Sequence, residues 1–274
     1  MSHALRYAVN CSLLFTELPL LERPAAAADA GFGAVEFWWP FPESVPGDHE
    51  ADAFVSAVRD AEVQLIGLNF AAGDMPGGDR GLISWPARAA EFRDNVDVTV
   101  GIGEQLGCRA FNALYGNRID GVDPAAQDAL GAENLTLAAT AAARIGGTVL
   151  VEPVSGAPRY PLLTAADVLA VLDRVREEHG VTDLGLLADL YHLAVNGDDV
   201  DEVIADAGDR IAHVQIADSP GRGEPGTGSL PLERQLTDLE AAGYRGWVAL
   251  EYKPSASTAQ SLEWLPRPRR AASA

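Results

Sequence analysis

The chain has 274 residues, and 47% of them are hydrophobic, so it is long and apolar enough to bury a large core, which excludes an intrinsically disordered protein. Its 40 acidic residues outnumber its 20 basic residues and give a formal net charge of −20. A surface of this sign repels DNA and RNA, whose binding depends on cationic contacts to phosphate, so we expect no nucleic-acid partner.

Short β-rich runs and longer helical stretches alternate along the chain. The runs predict eight strands, at 6–12, 34–40, 64–70, 108–114, 148–154, 184–190, 211–218 and 247–252. Apolar residues at helical spacing, with glycines at several ends, predict helices at 17–31, 48–62, 84–107, 124–146, 164–180, 198–208, 229–243 and 256–265.

Eight strand–helix units without a break in composition are typical of parallel βαβ folds. They favour a single-domain α/β fold, a closed (β/α)₈ TIM barrel over residues 1–265, because that fold repeats the unit eight times. An open doubly wound sheet is the competitor, and the absence of a glycine-rich phosphate fingerprint after the first strand disfavours a dinucleotide-binding sheet. Residues 266–274 are basic and contain proline, which predicts a loose tail.

No apolar run approaches the roughly 20 residues that cross a bilayer, and the first ten residues lack a secretory pattern. We therefore expect a cytoplasmic protein with no membrane partner. The two cysteines, Cys11 and Cys108, do not form a disulfide framework, and we expect them to be small core residues.

Polar residues stand late in four consecutive predicted strands: Glu152, Asp189, Gln215 and Glu251. Active sites of (β/α)₈ barrels lie at these strand ends, and the alternation of side chains along a strand allows all four to face the barrel mouth. Carboxylates placed close together raise each other's pKa unless a cation intervenes. Carboxylate and amide oxygens suit a hard divalent ion, so the four residues are predicted ligands of Mg²⁺ or Mn²⁺. His213, on the same face as Gln215, is predicted to be a hydrogen-bonded histidine one layer deeper.

The predicted ligands lie within a recognisable set of stretches. The set comprises LVEP at 150–153, ADLYH at 188–192, HVQIADSPGRGEPGTG at 213–228 and EYKP at 251–254, with GFGAVEFWWP at 31–40, AAGDMPGGDRG at 71–81 and EFRD at 91–94. It resembles the hydroxypyruvate isomerase family of the xylose isomerase-like superfamily, from the first strand to EYKP. The resemblance implies a TIM barrel, a divalent metal and aldose–ketose isomerisation of a small hydroxy-oxo acid.

Particular roles follow from the resemblance. Glu152 and Glu251 match acid/base glutamates that interconvert hydroxypyruvate and tartronate semialdehyde through a metal-stabilised enediolate, and the four strand-end residues match metal ligands. His192 matches a substrate-contacting histidine. Arg222 lies in the matching loop, where a guanidinium can bind a substrate carboxylate through two hydrogen bonds.

Asn69, at the end of the third strand, and Lys253, shortly after the last, are further candidates for contact with the substrate. Two departures from the family lie near the expected pocket. Ser155-Gly156 stands where some members have Asn-His, and Leu68-Asn69 stands where some have His-Asn. These departures keep a 2-oxo-tetronate isomerase and a ketose 3-epimerase open as alternatives on the same barrel.

Two other classes of function are disfavoured. An endonuclease-like barrel acting on abasic DNA usually needs several zinc ions and a histidine-rich site, whereas this chain has five histidines and a charge of −20. A non-catalytic protein that binds sugar acids has no need of both glutamates. We expect an intramolecular oxidoreductase whose partner is a small hydroxy-oxo acid or sugar, and a homo-oligomer is compatible with the sequence.

Overall fold

Eight parallel strands close into a barrel in chain order. The computed structural model describes residues 3–271. Its strands are β1 (Arg6–Asn10), β2 (Ala34–Phe37), β3 (Gln64–Asn69), β4 (Ala110–Asn112), β5 (Thr148–Val151), β6 (Leu184–Asp189), β7 (Ile211–Ile216) and β8 (Trp247–Leu250). Because β8 pairs with β1, the sheet has no edge, and the predicted (β/α)₈ barrel is confirmed over the open sheet.

Helices surround the barrel. They are α1 (Arg23–Asp29), α2 (Asp48–Asp60), α3 (Ala89–Leu106), α4 (Pro124–Ala143), α5 (Ala165–His179), α6 (Leu190–Asn196), α7 (Val200–Ala207), α8 (Leu232–Ala241), α9 (Thr258–Ser261) and α10 (Arg267–Arg270). The helix predicted from residue 84 begins later, because Trp85 precedes a proline and is extended, and a short 3₁₀ turn follows it.

Helix α6 was not predicted. It begins directly after β6, and the last residue of that strand, Asp189, accepts hydrogen bonds through Oδ1 from the backbone N–H groups of Tyr191 (2.9 Å) and His192 (3.4 Å). An aspartate at this position is a good helix N-cap, which was the overlooked signal. The cap places His192 one helical turn beyond Asp189.

The first part of the basic C-terminal segment is attached to the barrel and not loose. Arg269 donates to the carbonyl of His3 (2.9 Å), and Arg270 donates to those of Leu262 (2.6 Å) and Ala30 (3.0 Å). The prediction of a loose tail is therefore wrong for α10, because its arginines find backbone acceptors. Residues 272–274 of the predicted tail lie outside the described residues.

The main hydrophobic core lies between the strands and the helices, and both cysteines are buried in it, as predicted. A separate cluster of Ala8, Ala34 and Ile66 packs against Trp247. Ala8 and Ala34 stand two residues before Asn10 and Glu36, on the same faces of β1 and β2. The cluster therefore fills the barrel beneath these two polar side chains. Among the residues that the structure describes, no helix combines the length and the apolar character needed to span a bilayer.

Candidate active site

The carboxyl end of every strand carries a buried polar side chain. In strand order these are Asn10, Glu36, Asn69, Asn112, Glu152, Asp189, Gln215 and Glu251. The barrel therefore brings together the four predicted metal ligands and Asn69. It adds Asn10, Glu36 and Asn112, which we overlooked although the same signal, a polar residue late in an apolar strand, marks them.

Two acidic groups and a histidine form the centre of the site. Glu152, Asp189 and His192 each offer a ligand-type atom, and these atoms lie within 4.8 Å of one another. Arg222, from the loop after β7, places Nη2 2.6 Å from Oε1 of Glu251 and 3.5 Å from Oδ2 of Asp189. One guanidinium thus contacts two buried carboxylates, of which Asp189 belongs to the centre.

Burial makes this concentration of acid costly. It raises the pKa of Glu152 to about 8, even though Asn112 Nδ2 donates to its Oε1 at 2.8 Å, and repulsion from Asp189 adds to the rise. Burial likewise holds the pKa of Glu251 well above its usual range, against the opposing charge of Arg222. The centre is therefore short of positive charge, which is the condition that favours binding of a divalent cation.

Glu36 orients the amide of Gln215. Its Oε1 accepts hydrogen bonds from Nε2 of Gln215 (2.8 Å) and Nδ2 of Asn10 (2.8 Å), and its Oε2 lies 2.7 Å from Nε2 of His213. Because a carboxylate only accepts, the amide nitrogen of Gln215 must face Glu36, and its Oε1 turns away. That buried oxygen has no hydrogen-bond partner among residues 3–271. An unpartnered amide oxygen near carboxylates fits a hard divalent ion, and the hydrogen-bonded role predicted for His213 is confirmed.

His192 is placed as a hydrogen-bond donor. Its Nδ1 accepts from the backbone N–H of Ser155 (2.9 Å), so in the neutral ring the proton is on Nε2, which lies 3.5 Å from Oδ2 of Asp189. Burial lowers the pKa of His192 to about 4, so the ring is neutral near pH 7. This tautomer has no free lone pair for a metal, although the ring lies near two acidic groups. It leaves Nε2–H available to a substrate oxygen.

The loop that carries Arg222 is organised by Asp218, which is fully buried. Its carboxylate accepts from the backbone N–H groups of Ser219 (2.8 Å), Gly226 (2.8 Å) and Leu230 (3.0 Å). Arg222 has a left-handed φ of 59°, and its carbonyl accepts from the N–H of Lys253 at 2.8 Å. The loop is therefore fixed at both ends, and the part that Asp218 plays in this was not predicted from the sequence.

We expect Asp218→Ala to lower the free energy of unfolding by about 3 kcal/mol, because three backbone N–H groups lose a charged acceptor. Urea unfolding monitored by circular dichroism measures the change, with Asp206→Ala as the control because Asp206 is exposed. A loss no larger than that of the control would contradict the role assigned to Asp218.

A cavity of about 920 Å³ opens above the strand ends. It is lined by six of the predicted site residues: Asn69, Glu152, His192, Arg222, Glu251 and Lys253. Asp189 and Gln215 are almost completely buried at its base. Trp38 and Trp39 also line the cavity, and Nε1 of Trp38 donates to Oε1 of Glu251 at 3.2 Å. Both tryptophans lie beyond the end of β2, so strand periodicity does not indicate where they point.

The raised pKa of Glu152 predicts how stability depends on pH in the absence of metal. Because the folded carboxyl has a pKa of about 8 and the unfolded one about 4.5, the folded state binds more protons between these values. The free energy of unfolding should therefore fall as pH rises through this interval. The buried His192 has the opposite effect, but only below its unfolded pKa of 6.5, so the fall should be visible from pH 6.5 to 8.

Urea unfolding in EDTA at pH 6.5, 7 and 8 measures this slope. Glu152→Gln should make the slope shallower, whereas Glu177→Gln, at an exposed position, should keep that of the unchanged protein. A free energy of unfolding that rises over the interval would show that Glu152 is already ionised.

Comparison with known proteins places this site in context. Residues 24–267 match the xylose isomerase-like TIM barrel family. The chain is 58% identical over 272 residues to a protein of Streptomyces coelicolor named putative hydroxypyruvate isomerase, covering 97% of this chain and 98% of that one. It is 32% identical to hydroxypyruvate isomerase of Escherichia coli, covering 95% and 98%. It is 35% identical to 2-oxo-tetronate isomerase of Cupriavidus necator, covering 95% and 97%.

Among solved structures, a Brucella melitensis protein described as AP endonuclease, family 2, superposes with a TM-score of 0.85 at 35% identity. The match covers 95% of this chain and 97% of that one. The relatives and the solved structure thus each match at least 95% of this chain.

Proposed function

Because the chain belongs to the xylose isomerase-like TIM barrel family, we propose that it is an isomerase that interconverts hydroxypyruvate and tartronate semialdehyde. The observation that carries this proposal is the pair of buried glutamates, Glu152 and Glu251, on strands that flank those of Asp189 and Gln215. Such an isomerisation needs one group to take a proton from carbon and another to return one to the neighbouring carbon. Burial raises the pKa of both carboxyl groups, and a pair of carboxyl groups can supply the base and the acid of such a shift.

The chemistry is a proton shift between adjacent carbons. One ionised glutamate takes a proton from the hydroxymethyl carbon of hydroxypyruvate, and the electron pair of that C–H bond forms the carbon–carbon double bond of an enediolate. The other glutamate, in its acid form, protonates the former carbonyl carbon. The hydroxyl proton passes from the first oxygen to the second, which leaves the aldehyde of tartronate semialdehyde, and the two glutamates have exchanged their protonation states.

Donors of the site can stabilise the oxygens on which negative charge develops. The Nε2–H of His192 and the guanidinium of Arg222 both face the acidic centre, and Asn69 and Lys253 line the same cavity. We propose that Glu152, Asp189, Gln215 and Glu251 hold a divalent cation, Mg²⁺ or Mn²⁺. When bound, it supplies positive charge to the same substrate oxygens.

A second candidate reaction is isomerisation of a 2-oxo-tetronate. The supporting observation is the volume of the cavity, about 920 Å³, of which a three-carbon acid would fill only a small part. A four-carbon acid has the same reacting carbons and one more hydroxylated carbon. The relative named 2-oxo-tetronate isomerase is 35% identical to this chain, the same identity as that of the solved Brucella melitensis protein.

Cleavage of abasic DNA is less well supported, despite the name of the solved Brucella melitensis protein. The strand ends carry four buried carboxylates, and the chain has a net charge of −20, which opposes a phosphate backbone. The charge of a single small anion, in contrast, can be balanced by individual cationic side chains that line the cavity.

The function is tested by incubating the purified protein with hydroxypyruvate or a 2-oxo-tetronate and following both isomers by proton NMR. The assay is repeated after EDTA treatment and after return of Mg²⁺ or Mn²⁺. Metal-dependent conversion of hydroxypyruvate supports the proposal. Conversion of the tetronate alone supports the second candidate reaction instead. If folded protein supplied with metal converts neither substrate, both candidate reactions are rejected.

A further inference from the structure

Four cationic side chains line the cavity: Arg80, Arg88, Arg222 and Lys253. Two of them already serve carboxylates. Arg222 contacts Glu251 and Asp189, and Arg88 pairs with Glu91 at 2.6 Å. Lys253 is exposed at the rim. Arg80 is the remaining arginine of the cavity.

Arg80 has a fixed guanidinium and an unbalanced charge. Its Nη1 donates to the backbone carbonyls of Met75 (2.9 Å) and Asp79 (2.6 Å). The neighbouring carboxylate of Asp79 is turned to Arg88, at 3.0 Å. Arg80 makes no ion pair with any carboxylate of residues 3–271. Two neutral carbonyls hold the group in position but leave its positive charge and its remaining N–H groups for another acceptor.

The backbone around Arg80 is also held in place. Its carbonyl accepts from the N–H of Gly116 at 3.0 Å. Gly81 follows with a φ of +112°, and a Cβ there would overlap the carbonyl of Leu114. Only glycine allows this close approach to the segment after β4. The loop therefore presents Arg80 from an anchored position, so little conformational entropy is lost when the side chain binds a ligand.

Arg80 and His192 line the same cavity, together with Glu152 and Glu251. His192 in turn contacts Asp189. A small acid whose reacting carbons lie beside Glu152 and Glu251 can thus extend its carboxylate toward Arg80.

We propose that Arg80 binds the carboxylate of the substrate and thereby selects hydroxy-oxo acids over neutral ketoses. This inference rests on the proposed function, since it concerns the same cavity. It differs from the sequence-based expectation, which assigned the carboxylate to Arg222. Arg222 is drawn toward two carboxylates of the protein, whereas the charge of Arg80 meets none.

The first test compares two substrates. Dihydroxyacetone has a hydroxymethyl group in place of the carboxylate of hydroxypyruvate, so the ratio of kcat/KM for the two measures selection of the acid. We expect Arg80→Gln to lower this ratio by about 10- to 100-fold, the range of a charge-assisted hydrogen bond, and Arg80→Lys to restore part of it. The control is Arg109→Gln. Arg109 is exposed and also donates to two backbone carbonyls, so this substitution removes the same charge outside the cavity. An unchanged ratio in Arg80→Gln overturns the proposal.

A binding measurement separates this inference from the proposed function. Calorimetric titration with glycerate, an unreactive carboxylate, should show weaker binding in Arg80→Gln than in Arg109→Gln. If hydroxypyruvate is converted but glycerate binding does not depend on Arg80, the inference fails and the function stands. If glycerate binding depends on Arg80 in a protein that converts no hydroxypyruvate, the carboxylate site stands and the function fails. Tighter binding of glycerol phosphate than of glycerate would assign Arg80 to phosphate and overturn the proposal.

Discussion

Glu152→Gln and Glu251→Gln should each lower kcat for hydroxypyruvate by about 10²- to 10⁴-fold, the range that a positioned general acid or base contributes. Glutamine preserves the volume and one acceptor oxygen of each side chain but can neither take a proton from carbon nor deliver one. Because both residues are also proposed metal ligands, bound Mn²⁺ has to be measured in each variant. Activity that is lost while Mn²⁺ is retained assigns the loss to proton transfer.

Solvent exchange in D₂O distinguishes the two glutamates. The variant that lacks the group acting on the hydroxymethyl carbon should lose exchange of those protons in hydroxypyruvate. The variant that lacks the other group should keep that exchange while producing little tartronate semialdehyde. If either variant retains full turnover, the corresponding glutamate is not part of the proton shift, and Glu177→Gln provides the reference for an exposed glutamate.

The fold was predictable because its signal is local and repeated. Each strand is a short β-rich run and each helix a longer periodic stretch, so eight repeats identify the barrel without any knowledge of contacts. The strand ends were predictable for the same reason, since alternation and the position of Asp189 or Gln215 within a strand can be read from the sequence. Helix α6 escaped because its cap, Asp189, had been interpreted only as a metal ligand.

The partners of the site residues were not predictable, because they lie across the barrel. Glu36 and Gln215 are separated by 179 residues in the chain but joined by a hydrogen bond of 2.8 Å. The sequence shows that Arg222 lies in a loop after β7, but not that Glu251 and Asp189 face it. Nor does it show that the carboxylate of Asp79, the residue before Arg80, forms an ion pair with Arg88. Such pairings depend on where eight strand ends meet in space.

The hydrogen bond from Gln215 to Glu36 leads to a second large expected effect. Replacing Glu36 with leucine should weaken Mn²⁺ binding by about 10- to 100-fold, the usual cost of losing a group that orients a metal ligand. Without its acceptor, the amide of Gln215 is free to rotate, and its nitrogen can face the acidic centre in place of Oε1. Isothermal titration calorimetry measures the affinity, and thermal unfolding shows whether each variant is folded.

Two further variants separate orientation from charge. Glu36→Gln removes the negative charge but keeps an oxygen that can accept from Nε2 of Gln215, so it should retain most of the affinity if orientation is the cause. In a Gln215→Leu background the ligand itself is absent, and Glu36→Leu should then weaken Mn²⁺ binding little further, because residues that act through one another are not additive. Additive losses, or a Glu36→Gln variant as weak as Glu36→Leu, would instead mean that Glu36 attracts the cation through its charge alone.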